Sequence, residues 1–181
     1  MAEAAPTTTP IQAANPAAKV VLSKVVLNIA TGKSGEQLEK AAKVLETLTE
    51  QKPSQRKAKK TVRDFGIHKG EPIAVVVTMR KEKAVSVLKN LLQARNNVLS
   101  ASSFDDMGNV SFGIKEHIEI PGVRYDPAIG IFGMDVCVSL GKHGLRVSSR
   151  RRARGDVNIK QRVTKEEAIS FFRTVLNAEV R

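Results

Sequence analysis

Apolar residues recur along this chain with two periods. A period near two runs through Lys24-Val25-Val26-Leu27-Asn28-Ile29-Ala30, through Ile73–Met79, through Phe112, Ile114 and Ile118, and through Met134, Val136, Val138 and Leu140. Each run predicts a strand. Helical spacing links Leu38, Ala41, Ala42, Leu45 and Leu48, then Ala84, Val85, Val87, Leu88, Leu91 and Leu92, and finally Ala168, Phe171, Phe172, Val175 and Leu176. Ser34 with Gln37, and Thr164 with Glu167, have the spacing of capping boxes. Glu36–Lys40 and Glu39–Lys43 pair along the exposed side of the first helix, and Pro53 stops it.

Between these elements the pattern predicts a loop over 54–60, a short strand over 61–67, and turns at Lys69-Gly70 and at Asp106–Asn109. An irregular stretch follows over 121–133, then a basic, glycine-containing loop over 141–161. Residues 1–18 are Ala, Pro and Thr with almost no charge, and are expected to form a disordered tail. Residues 19–181 are expected to form a single domain with basic segments at 51–70 and 141–165. Helices and strands mix without strict alternation. The expected fold class is therefore α+β, a mostly antiparallel sheet with helices packed on one face and the other face open.

Side chains alternate along a strand, so each predicted strand has two faces. Val25, Leu27 and Ile29 share one face of the first strand, opposite Lys24, Val26, Asn28 and Ala30. In the second, Ile73, Val75, Val77 and Met79 oppose Ala74, Val76, Thr78 and Arg80. In the third, Phe112, Ile114, Glu116 and Ile118 oppose Ser111, Gly113, Lys115 and His117; Glu116 marks a sheet edge. In the last, Met134, Val136, Val138 and Leu140 oppose Asp135, Cys137 and Ser139. One face is greasy. The other is small and hydrogen-bonding, suited either to solvent or to a sugar-phosphate surface.

Charge shifts the balance between those two readings. The 181 residues carry a formal net charge of +12. Segment 51–70 holds Lys52, Arg56, Lys57, Lys59, Lys60, Arg63 and Lys69 against Asp64 alone. Segment 141–165 holds Lys142, Arg146, Arg150, Arg151, Arg152, Arg154, Lys160, Arg162 and Lys165 against Asp156 alone. These two segments exceed the whole-chain excess, so the remainder is slightly acidic. Concentrated cations repel one another when free, and a polyanion relieves that repulsion. The five arginines from Arg146 to Arg154 present guanidinium forks that fit phosphate oxygens. Two basic segments framing a polar sheet face point to nucleic acid. Aromatics are only 4%, which points to recognition by charge and backbone shape, as for A-form RNA, more than by base stacking.

Other function classes find little support. No apolar run approaches the roughly 18 residues of a membrane span. Cys137 is the single cysteine, so a reducing setting is expected, without a disulfide framework or cysteine-based zinc site. His68, His117 and His143 have no partner at metal-ligand spacing, and no nucleotide-binding glycine loop is present. No enzyme, cofactor or metal is expected.

The motifs Lys24–Ile29, Gln51-Lys52-Pro53, Lys57-Ala58-Lys59-Lys60, Phe65-Gly66-Ile67, Val77-Thr78-Met79-Arg80, Ser102–Asp105, Phe112–His117, Tyr125-Asp126-Pro127 and Gly133–Val136 stand in the order of a known family. The chain resembles, over about residues 19–178, the universal large-subunit ribosomal protein L five family, called L eleven in eukaryotes, in its archaeal or eukaryotic form. That resemblance implies a structural protein in the cytoplasm, on the ribosome. Its partners would be 5S rRNA, large-subunit rRNA, the peptidyl-site tRNA and neighbouring proteins of the central protuberance. It assigns 5S rRNA binding to Asn28, Gln51, Thr78 and Arg80, and the polar face adds Lys24 and Lys115. It makes Pro53, Ser54, Gln55, Arg56, Lys57, Lys59 and Lys60 a loop facing tRNA. Arg63, His68, Lys69, Lys142, Arg146, Arg150, Arg151, Arg152 and Arg154 are the expected phosphate contacts to rRNA. The family commonly has Gly where Ala30 and Lys81 stand here. The alternative reading is a non-ribosomal basic module, an RNA chaperone or a regulator with an acidic protein partner.

Overall fold

The computed structural model describes residues 19–123 and 125–181, so the expected tail over 1–18 lies outside the described residues. Strands β1 (Val20–Ala30), β2 (Ser54–Lys57), β3 (Pro72–Met79), β5 (Asn109–Ile114) and β6 (Met134–Lys142) form one sheet. Its order is β2-β3-β1-β6-β5 and every neighbouring pair is antiparallel. Two short strands, β4 (Val98–Leu99) and β7 (Glu179–Val180), pair in parallel apart from it.

One face of the sheet is the core. Val25, Leu27 and Ile29 of β1 meet Val75, Val77 and Met79 of β3, and Phe112, Ile114, Met134, Val136 and Val138 continue the layer. Helices α1 (Glu36–Thr49), α2 (Lys81–Gln93) and α4 (Lys165–Leu176) cover it. They contribute Leu38, Ala41 and Leu45, then Ala84, Leu88 and Leu92, then Ala168, Phe172 and Leu176. Phe104 and Phe172 meet edge to face at 5.5 Å. The α+β architecture and its antiparallel sheet are those read from the alternation.

Local departures have physical causes. Ser34 does not cap α1. Gly35 takes the cap position, and the Ser34 hydroxyl donates instead to Glu71 Oε1 at 2.5 Å. Helix α1 ends before Pro53, at Glu50, whose backbone turns left-handed (φ 52°). The other box forms in full: Thr164 accepts from the Glu167 amide, and Glu167 accepts from that of Thr164. Residues 54–57 are an edge strand rather than a loop, because backbone pairing with β3 needs no apolar side chain. Residues 61–67 are not a strand. A 3-10 turn over Arg63–Phe65 is closed by the Val62–Ile67 bridge. The predicted basic loop begins inside β6, which runs on through Lys142, and a helical turn, α3 (Arg146–Ser149), follows.

Lys81, where the resemblance leads to an expectation of Gly, lies at φ 60°. Side chains disfavour that region by about 1–2 kcal/mol. Ala30 is not left-handed. Lys81→Gly is therefore expected to raise stability by about 1 kcal/mol, and Ala30→Gly to lower it; a pair of urea titrations checks both signs.

Candidate nucleic-acid interface

The register fixes which polar side chains share the open face. Asn28 stands opposite Val76 on one side and Asp135 on the other, Val76 opposite Ser54, and Asp135 opposite Gly113. The next row is Thr78, Val26, Cys137 and Ser111. A third joins Lys24, Ser139 and Asn109, where the Ser139 hydroxyl donates to Asn109 Oδ1 at 3.0 Å. Lys24 and Arg80 occupy the next positions beyond the Val25–Met79 pair.

The expected 5S contacts do not form one cluster. Lys24, Thr78 and Arg80 gather at one end of the sheet. Gln51 belongs to the same end, because β2 enters opposite Val76 and the chain before it lies toward Met79. Asn28 is four residues further along β1, about 13 Å away. Lys115 follows Ile114 of β5 at the opposite end, level with Ala30. His117 leaves the open face altogether. β5 stops at Ile114, and a 3-10 turn over His117–Glu119 reverses the expected parity. The imidazole is only 3% exposed, and its Nδ1 accepts the Phe132 amide at 3.2 Å. Burial holds its pKa below the usual histidine value, and its contacts tie Phe132 to the chain just beyond β5.

The two basic segments emerge at opposite ends of the strands. One joins β2 to β3 at the Ala30 end; the other follows β6 at the Val20 end. Eleven residues of β1 separate these ends, about 35 Å. The first segment is internally bonded. Ala58 donates to the Glu71 carbonyl at 2.8 Å, and Gly70 to that of Ala58 at 2.9 Å. Glu71 ties it to the β1–α1 connection. The Ser34 hydroxyl, then the His68 amide, hold the Glu71 carboxyl below its usual pKa. Lys59, Lys60, Arg63, His68 and Lys69 lie around this turn, all of them exposed. Phe65 stands 72% exposed at its tip, an aromatic outlook that composition conceals.

Of the segment assigned to tRNA, Ser54 and Arg56 share the open face of the sheet through their partners Val76 and Ala74. Pro53 precedes the strand, Gln55 and Lys57 alternate with these two along the edge, and Lys59 and Lys60 belong to the turn. In the second segment Arg146, Arg150, Arg151, Arg152 and Arg154 are all exposed. Arg150 Nε also donates to the Ala153 carbonyl at 2.7 Å, shaping the turn. Lys142 differs from its expected role as a phosphate contact. Its side chain is 8% exposed, and its ammonium lies 2.7 Å from a Glu167 carboxylate oxygen and 3.2 Å from the Arg162 carbonyl. It fastens the segment to α4. Asp135, on the open face beside Asn28, is not among the expected site residues, although its strand parity places it there.

Two family models match in succession: ribosomal protein L5 over residues 15–68, and the C-terminal model of the same ribosomal family over 72–176. Their boundary falls between β2 and β3, yet β1 from the first lies between β3 and β6 from the second. The chain is 59% identical over 166 residues to the large ribosomal subunit protein uL5 of Pyrobaculum aerophilum, covering 92% of this chain and 93% of that one. It is 50% identical to the uL5 protein of Sulfolobus acidocaldarius, over 90% and 91% of the two chains. It is 51% identical to that of Archaeoglobus fulgidus, over 89% and 90%. A polar sheet face between two arginine- and lysine-rich segments, together with matches along nearly the whole length, places the chain in the ribosomal protein L5 family, whose members are RNA-binding structural constituents of the large ribosomal subunit and not enzymes.

Proposed function

We propose that the open sheet face binds 5S rRNA, and that the two basic segments hold neighbouring RNA at either end. The observation that carries this reading is the arrangement of a polar face about 35 Å long, the span of β1, with cation-rich segments at its two ends. Lys24, Asn28, Gln51, Thr78, Arg80 and Lys115 would meet 5S rRNA through hydroxyl, amide and cationic groups. Residues 53–60 would face the peptidyl-site tRNA. Arg63, His68, Lys69, Arg146, Arg150, Arg151, Arg152 and Arg154 would neutralise phosphates of the large-subunit rRNA. The protein would act in the central protuberance of the cytoplasmic ribosome, beside other ribosomal proteins.

The single thiol supplies the test. Cys137 is exposed and lies in the row between Val26 and Ser111, near the middle of the open face. Bound 5S rRNA is expected to slow its alkylation by iodoacetamide in proportion to the fraction of protein bound, while tRNA or an unrelated hairpin at matched salt leaves the rate high. A gel shift run in parallel reports occupancy. An unchanged alkylation rate at full 5S occupancy would place the RNA elsewhere and overturn the reading.

A further inference from the structure

A carboxylate without an ion pair on a surface meant for a polyanion needs a reason. Asp135 is exposed on the open face of a chain carrying +12. Among the described residues it forms no ion pair: the three salt bridges lie at Lys83–Glu50, Lys142–Glu167 and Arg181–Glu179. Its contact is with Asn28, whose Nδ2 donates to Asp135 Oδ2 at 3.3 Å. That contact fixes the amide. The reverse orientation would set a carbonyl oxygen against a carboxylate. Asn28 therefore turns its Oδ1, an acceptor, away from Asp135.

The neighbour on the other side is Gly113, paired with Asp135 across β5 and β6. A Cβ built at Gly113 would lie 3.9 Å from Asp135 Oδ1. Glycine puts no side chain there. Asp135 Oδ1 thus stands beside an open notch and takes no hydrogen bond from the described residues. Two acceptors, Asp135 Oδ1 and, turned away from it, Asn28 Oδ1, belong to one row of this face. The cations on this face, Lys24 and Arg80 toward one end and Arg56 and Lys115 toward the other, flank the pair, and none is hydrogen-bonded to it among the described residues. Phosphates offer acceptors only. What fits two acceptors is a donor: a ribose 2′-hydroxyl, or the N–H groups on the Watson–Crick edge of an unpaired base.

We propose that Asp135, set beside Asn28 and over Gly113, accepts a hydrogen bond from a donor group of the RNA, so that the open face selects its RNA partly through a carboxylate. The inference rests on the open face being the 5S rRNA site. Its signature is one of sign. If Asp135 were a solvated charge, removing it would relieve repulsion from phosphates and tighten binding to every RNA. If it accepts a donor, removing it weakens 5S rRNA binding and tightens only the non-selective kind.

The experiment compares the full chain with Asp135→Ala and Asp135→Asn, titrated against 5S rRNA and an unrelated hairpin of similar length. Asp135 is exposed, so both variants are expected to melt as the parent does, which a thermal scan verifies. The expected result is a loss of about tenfold or more for 5S rRNA in both variants, as befits a charged hydrogen bond. Hairpin binding is expected to hold or rise. Two RNA arms separate the donors. One is 5S rRNA transcribed with inosine for guanosine, which lacks the exocyclic amino group; the other carries 2′-deoxynucleotides across the protected region. The arm that removes the true donor weakens the parent protein and leaves Asp135→Ala unaffected. Tighter 5S binding by either variant overturns the inference, as does full affinity in Asp135→Asn, which would leave Asp135 only orienting Asn28. A parent protein that prefers 5S rRNA no more than the hairpin overturns the underlying reading of the face instead.

Discussion

Gly108→Ala is expected to be among the most damaging single-methyl changes in this protein. Gly108 lies at φ 73°, and a Cβ there would sit 2.7 Å from both Cβ and Cγ1 of Val163. Val163 is buried where the second basic segment rejoins α4, so it has little room to yield. A left-handed side chain costs about 1–2 kcal/mol, and overpacking a filled site costs about 1–3 kcal/mol more. The sum, roughly 3 kcal/mol, lowers the melting temperature of a chain this size by about 6–12 °C. Gly66→Ala is the matched control. Its φ is 65°, but nothing lies within 4 Å of the added Cβ. Only the conformational cost applies there, and the difference between the two melting curves measures the collision with Val163. Equal shifts would show that the Gly108–Val163 packing is not tight. The same contact explains why a glycine in a surface turn matters to a binding segment: Gly108 is the floor on which residue 163 anchors the end of the arginine-rich stretch.

That anchor is not legible in the sequence, and the reason is general. Alternation tells correctly which residues of β1, β3 and β6 face the core, because one buried face imposes a period of two. It fails where pairing rather than burial makes the strand. Ser54–Lys57 has no apolar residue and is held at the sheet edge by backbone bonds alone. β4 and β7 are two residues each, too short for any period. Extending the β5 alternation three residues past its end puts His117 on the open face; the 3-10 turn places it in the core. Ser34 has the spacing of a cap, but a nearby carboxylate, Glu71, brought in by the fold, takes its hydroxyl. Lys142 reads as one more cation in a basic run, and only the packing of α4 shows it paired with Glu167. Composition and charge order therefore point to a candidate interface. Which cations there are free and which are paired within the protein depends on long-range contacts.

The division between charge and directed contact is what the largest binding effect should reveal. Changing Arg146, Arg151, Arg152 and Arg154 together to Gln removes four exposed cations from one end of the face while sparing Arg150, whose side chain holds the Ala153 turn. If each neutralises one phosphate, the slope of log affinity against log salt becomes shallower by about 3, at roughly 0.7–0.9 per contact. Between 50 and 200 mM salt the parent then loses about 50- to 150-fold more affinity than the variant. Thr78→Ala is the counterpart on the sheet. It removes a hydroxyl and no charge, so its affinity for 5S rRNA should fall by about tenfold with the salt slope unchanged. The two variants separate along different axes: the arginine change alters salt sensitivity toward every RNA, and the threonine change alters preference among RNAs. An unchanged slope in the arginine variant would mean that these side chains do not reach phosphate. Recognition would then rest on the sheet face and on the Lys59–Lys69 turn at its other end, and the ~35 Å separation of the two basic segments would lose its functional meaning.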